Sequence, residues 1–205
     1  ETNHLEKRIA LTPQAVQKLV KLGAAVHVPK GLGLTIGFRD EDYATAGASL
    51  FEDRDTALSQ ADLLVLVNKP GLETLAKLKP GSILVSFLEP FRNADLIKTL
   101  RDRTISSLCM ELIPRSTYAQ KMDALSSQAS LAGYAAVIKA ADVIAKVLPM
   151  MSTPAGTIPP ARVFGIGVGV AGLQAIATAK RLGARVEAYD TRPVVAEQVE
   201  SLGAK

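Results

Sequence analysis

The sequence predicts an α/β protein of two doubly wound domains with parallel sheets, joined by a long helix, the second domain incomplete within 205 residues. Three observations lead there. Short, uniformly apolar runs alternate with helix-like segments over the first 125 residues, a pattern that points to parallel strands covered on both faces. A proline-free segment at 122–148 then keeps apolar residues at helical spacing. Beyond a proline-rich stretch, a strand, a glycine turn, a helix and a second strand follow closely.

Thr12 and Pro13 supply a helix cap and a first-turn proline, and Ala15, Val16, Leu19, Val20 and Leu22 recur helically until Gly23 stops them. Strands are expected at 25–28, 63–67, 83–88 and 105–110, with helices at 72–78 and 94–100. In the long segment 122–148, Leu125, Leu131, Tyr134, Ile138, Ala141, Ile144 and Val147 mark one helix leaving the first domain (1–125), with Gly133 as its weak point. Residues 149–161 hold four of the chain's eleven prolines and read as a stiff linker. The second domain begins at 161, with a strand at 162–166, a helix at 170–182, a strand at 185–189 and a further helix from about Pro193. About 45 residues follow Pro160, too few for a self-sufficient domain, so the chain alone is expected to bind a dinucleotide weakly.

Composition excludes several classes of function. The 24 Lys and Arg are interspersed among 20 acids without a long basic run, which argues against a nucleic-acid surface. No stretch is apolar for the roughly 18 residues a membrane helix needs, and the most apolar window, 163–177, is broken by four glycines. The charged start, with Glu6, Lys7 and Arg8, lacks a signal core, and the chain opens without methionine, as a cut end would. Cys109 is the one cysteine and lies in an apolar run, as expected for a small buried hydrophobe in a reducing compartment. No metal site is expected.

Gly167, Gly169 and Gly172 form a GxGxxG turn directly after a predicted strand and at the start of a predicted helix. In such a Rossmann-type unit the first glycine makes the tight turn, the second lets a pyrophosphate approach, and the third lets helix and strand pack closely. The N–H groups of Val170, Ala171 and Gly172 open the helix, where its dipole favours phosphate. Asp190 ends the next strand, 23 residues after Gly167, placing a carboxylate where it can accept from an adenosine ribose and repel a 2′-phosphate. NAD(H) is therefore expected rather than NADP(H), with Thr191 and Arg192 beside the ribose. Arg192 is a cation that can soften this preference.

Several blocks carry a resemblance: KRIALTP at 7–13, MELIPR at 110–115, AQKMDALSSQA at 119–129, AGY at 132–134, IPPARV at 158–163, VAGLQAIATA at 170–179, AYDTRP at 188–193 and EQVES at 197–201. Together they make the whole chain similar to the NAD(H)-handling component of proton-translocating NAD(P) transhydrogenases, most specifically over 115–134. The resemblance implies hydride passing directly between NAD(H) on this chain and NADP(H) on a partner component. It implies membrane-spanning partners, a homodimer, and a peripheral place on the cytoplasmic face of the cell membrane. It also implies roles for the loop at 115–126: Arg115 on the carboxamide or diphosphate, Asp123 and Ser126 orienting the nicotinamide amide, and Gln120 reaching towards the partner's NADP(H). Arg115, Gln120 and Asp123 are then the residues expected to serve hydride transfer.

This sequence departs from the family at Gly165, Val168, Tyr118 and Lys121; Val168 is expected to press on the phosphate, and Gly165 to weaken its strand by roughly 0.5–1 kcal/mol. Two other readings compete. An alanine-type amino-acid dehydrogenase needs a lysine and a histidine at its substrate; Lys69 resembles the lysine, but Glu89 stands in the histidine's region, and His27 lies elsewhere, within a predicted strand. A non-catalytic NAD(H)-binding module is the other.

Overall fold

A computed structural model describes residues 5–205; residues 1–4, which include His4 and the beginning of the charged start, lie outside the described residues. The chain divides into two compact units, one ending at Met122 and the other running from Asp123 to Lys205.

In the first unit α1 (Pro13–Lys21) forms as expected, the Thr12 side chain accepting from the Ala15 N–H at 3.3 Å and Val16 wholly buried. Strand β1 (His27–Pro29) pairs in parallel with β2 (Ser49–Phe51), and α2 (Asp40–Thr45) lies on the crossover between them. Tyr43 on α2 is buried, and its hydroxyl donates to the Leu11 carbonyl at 3.0 Å, pinning the entry to α1. A second run follows: α3 (Arg54–Gln60), β3 (Leu63–Val65), α4 (Leu72–Lys77), β4 (Ile83–Ser86), α5 (Ala94–Asp102) and β5 (Ser106–Cys109). Strands β3, β4 and β5 make a parallel sheet in that order. Leu75, Leu78, Leu84 and Leu88 form the heart of its core. Coverage differs from the expectation of two packed faces. Leu84 and Ser86 face the core, whereas Leu63 and Ile83 are half open and Leu108 is 61% exposed, so one face of this sheet is much less covered within the described chain.

The second unit opens with α6 (Ala124–Val143), shorter than the 122–148 expected. Asp123 caps its start, and at Val143 and Ile144 two β-branched residues in succession end it, Ile144 being extended. Gly133 is the point of closest packing rather than a weak point: a Cβ there would lie 2.1 Å from the carbonyl oxygen of Ala171 in α7 (Val170–Arg181). Because α6 packs along α7, the compact units divide ahead of it and not in the proline-rich stretch. That stretch is also not plain linker. Strands β6 (Met151–Thr153) and β7 (Gly156–Ile158) pair antiparallel about Pro154 and Ala155, and Gly156 takes a positive φ of 136°.

Strands β8 (Arg162–Ile166) and β9 (Arg185–Tyr189) pair in parallel, with α7 crossing between them and α8 (Ala196–Ser201) following. The Lys205 N–H donates to the Val186 carbonyl at 3.1 Å, and the Lys205 carbonyl accepts from the Ala188 N–H at 2.7 Å, so the chain pairs along the far edge of β9. Ala179, Ile176, Val168, Ala184 and Val186 form the centre of this unit's core. Gly165 in β8 stands opposite Ala188, and a Cβ there would meet its nearest neighbours at an ordinary 3.9–4.0 Å. Among the described residues no helix is long and apolar enough to cross a membrane.

Candidate functional site

The turn between β8 and α7 uses its three glycines for three different reasons. Gly167 has φ 93°, a left-handed conformation that other residues adopt at a cost. Gly172 is demanded by space, since a Cβ would fall 2.0 Å from the Gly167 carbonyl oxygen. Gly169 is required by neither: its backbone is extended, and a Cβ would meet nothing within 4 Å. The opening in front of Gly169 is what a pyrophosphate needs for close approach. Gly169 is also the helix cap and provides no side-chain bond, so the N–H groups of Val170, Ala171 and Gly172 start α7 without intrahelical partners. The geometry therefore fits a diphosphate. Val168 does not press on that opening as expected. Its side chain is 2% exposed and belongs to the core of the unit, because the turn directs it inward.

Asp190 stands beside the turn at the end of β9, its side chain only 9% exposed. Oδ2 accepts from the Val168 N–H at 2.7 Å, and Oδ1 from the Arg192 N–H at 2.9 Å. The Arg192 guanidinium completes the set, Nε to Oδ1 at 3.0 Å and Nη2 to Oδ2 at 3.1 Å. These bonds, led by the guanidinium, hold the Asp190 carboxyl well below the usual carboxylate range. Arg192 Nη2 also donates to the Val168 carbonyl at 3.2 Å. A cavity of about 200 Å³ opens here, bordered by Val168, Asp190, Arg192, Pro193, Glu200 and Lys205. Thr191 is exposed between the two charged residues. Sequence reasoning finds Asp190 by its interval but misses the Val168 N–H as its anchor, since a backbone donor leaves no mark in residue type.

The loop residues divide between the two units. In the first, Arg115 is exposed and has no hydrogen bond or ion pair among the described residues, and Gln120 is exposed at the start of a short 3-10 turn, Gln120–Met122. Tyr118 is 95% exposed, and Lys121 is exposed as well. In the second unit, Asp123 and Ser126 are brought together: Oδ1 accepts from the Ser126 N–H at 2.9 Å and Oδ2 from the Ser126 hydroxyl at 2.6 Å. This is a helix cap, which also fixes the direction in which both side chains point.

Lys69, the residue matched to a dehydrogenase lysine, is bound by Glu89 at 2.6 Å and by Asn93 Oδ1 at 3.0 Å. Glu89 has a left-handed backbone (φ 47°), held by Glu111, whose carboxylate accepts from the Leu88 N–H at 2.9 Å and from the Glu89 N–H. Lys69 holds the Glu89 carboxyl below its ordinary range. The lysine charge is thus answered by a carboxylate where an amino-acid dehydrogenase would need it for substrate. His27 lies on β1, an exposed strand position in the first unit.

A mixed α/β Rossmann-like chain with a dinucleotide turn and an acidic residue on the adjoining strand defines a nucleotide-binding protein of dehydrogenase type. Residues 1–132 match the family described as alanine dehydrogenase/PNT, N-terminal domain, and residues 136–205 match the alanine dehydrogenase/PNT, C-terminal domain. The chain belongs to the alanine dehydrogenase/PNT family. It is 49% identical over 205 residues to an NAD(P) transhydrogenase subunit alpha of Rhodospirillum rubrum, with 98% of this chain and 53% of that protein covered. The transhydrogenase structure from Sinorhizobium meliloti matches at a TM-score of 0.96 and 44% identity, covering all of this chain and 61% of that one. An L-alanine dehydrogenase structure is more distant, at a TM-score of 0.84 and 25% identity over 98% of this chain and 55% of that one. The chain spans about half the length of the curated relatives it matches.

Proposed function

We propose that the chain is the NAD(H)-binding component of a proton-translocating NAD(P) transhydrogenase, in which hydride passes directly between NAD(H) here and NADP(H) on a partner component. The observation that carries this reading is the open, amide-lined turn at Gly169 with the Asp190 carboxylate anchored beside it. Such a pair suits a diphosphate joined to an unphosphorylated ribose, because a 2′-phosphate would meet a carboxylate held ionised. The relatives favour the transhydrogenase over the amino-acid dehydrogenase, and the Lys69–Glu89 pair supports the same choice.

Within this reading the turn and the first N–H groups of α7 hold the diphosphate, while Asp190, Thr191 and Arg192 hold the adenosine ribose. Arg115 binds the carboxamide or diphosphate, and Asp123 with Ser126 orients the nicotinamide amide. Gln120 reaches towards the partner's dinucleotide. Hydride moves from one nicotinamide C4 to the other, so the protein needs no proton donor and instead aligns two rings and excludes water. The two domains are joined by α6, with the nicotinamide end at their junction. The NADP(H)-binding and membrane-spanning components are its partners, a homodimer its assembly, and the inner face of the cell membrane its place.

Titration calorimetry of the full-length protein with NADH and NADPH tests this. NADH is expected to bind at least about tenfold more tightly, the scale of one lost charge-assisted contact. Tighter NADPH binding would contradict the assignment of Asp190.

A further inference from the structure

A carboxylate offers about four acceptor positions, and all four of Asp190's are filled from within the chain. Two donors, the N–H groups of Val168 and Arg192, belong to the backbone and are set by the turn. The other two, Nε and Nη2 of Arg192, belong to one side chain that is 57% exposed. A ribose diol also brings two hydroxyl donors. Its arrival at Asp190 therefore matches the guanidinium's contacts in number and requires that they be given up.

We propose that the Arg192 guanidinium is a built-in placeholder for the adenosine ribose: it occupies the two outward acceptor positions of Asp190, and NAD(H) binds by displacing it. This rests on the reading that Asp190 recognises that ribose. The displaced side chain keeps an acceptor within reach in the Val168 carbonyl, 3.2 Å from Nη2. Displacement is feasible because an ion pair whose cation is half open to water contributes only a small factor, roughly one- to fivefold, to an equilibrium. Meanwhile the two backbone donors keep Asp190 aimed at the cavity whether or not Arg192 is bound. Arg192 is thus a positioning residue that lowers the net gain from each ribose hydroxyl. It sets how strongly the site distinguishes a complete ribose from one lacking a hydroxyl.

The test compares NADH with NADH lacking the adenosine 2′-hydroxyl, titrated by cofactor fluorescence into the full-length protein and its Arg192→Ala and Arg192→Lys variants. The quantity read is the affinity ratio of the two ligands, which a loss of fold quality moves little, since it weakens both ligands alike. The ratio is expected to rise about two- to fivefold in Arg192→Ala. It should rise less in Arg192→Lys, whose single ammonium still covers some of the carboxylate. A ratio above one in the wild type that stays unchanged in both variants overturns the placeholder and leaves the ribose reading standing. A ratio near one in all three proteins overturns the ribose reading and the placeholder with it.

Discussion

Each glycine of the β8–α7 turn does a separate job, and substitution should separate them. Gly172→Ala puts a Cβ 2.0 Å from a backbone oxygen that has no flexible end to move, so the second unit should lose roughly 1–3 kcal/mol, seen as a lower denaturant midpoint. Gly169→Ala meets nothing in the free protein, and its unfolding midpoint should stay within the small range of surface changes. The same substitution should cost NADH binding tenfold or more, because the methyl enters the space assigned to the diphosphate. Equal losses of stability in the two variants would contradict this division. Glu6 allows a pH test in the first unit. Its carboxyl is pulled down from 4.5 to about 2, chiefly by the hydrogen bond from Arg8, with Asn68 donating at 2.8 Å. A depressed carboxyl stabilises above its unfolded value and loses that contribution as pH falls through the folded one. Glu6→Gln should therefore be less stable than the wild type from neutrality to about pH 4.5, with the gap closing towards pH 2.

Helix α6 owes its position to a residue that sequence alone marks as a defect. Gly133→Ala would press on the Ala171 carbonyl at 2.1 Å, so despite alanine's better helix propensity it should destabilise the second unit, again by roughly 1–3 kcal/mol. An unchanged or higher midpoint would mean that α6 and α7 do not approach so closely. Periodicity makes α1, α7, β8 and β9 legible, because caps, glycines and apolar runs coincide there. It misses α2 and α3, short helices whose sequences, DEDYAT and RDTALSQ, carry too few apolar residues to show a period. The hairpin at 151–158 is missed for a different reason. Four prolines suggest a linker, yet Pro154 occupies the turn itself and the others lie outside the paired residues, where a missing N–H costs no ladder bond. Of the site, Asp190 and the glycines are legible by spacing, whereas the inward turn of Val168 depends on burial that no local pattern encodes.

At the scale of the molecule, two units supply different elements of one proposed chemistry: a dinucleotide turn with Asp190 in the second, and the exposed Arg115 and Gln120 in the first. If Gln120 serves alignment of the two nicotinamides, Gln120→Asn in the full-length protein should lower the hydride-transfer rate on the order of a hundredfold for a displacement of about 1 Å, with little change in NADH affinity. A loss confined to affinity would place Gln120 in cofactor binding instead. The central claim, direct transfer between two bound dinucleotides, is tested by following the label from NADH deuterated at C4 to an oxidised NADP analogue. The full-length protein is mixed with its NADP(H)-binding partner, and the products are read by mass spectrometry. The account predicts that the transferred deuterium appears in the reduced NADP analogue without dilution by solvent hydrogen, and only when both components are present. Absence of transfer with the partner bound, or release of the label to water, would contradict it.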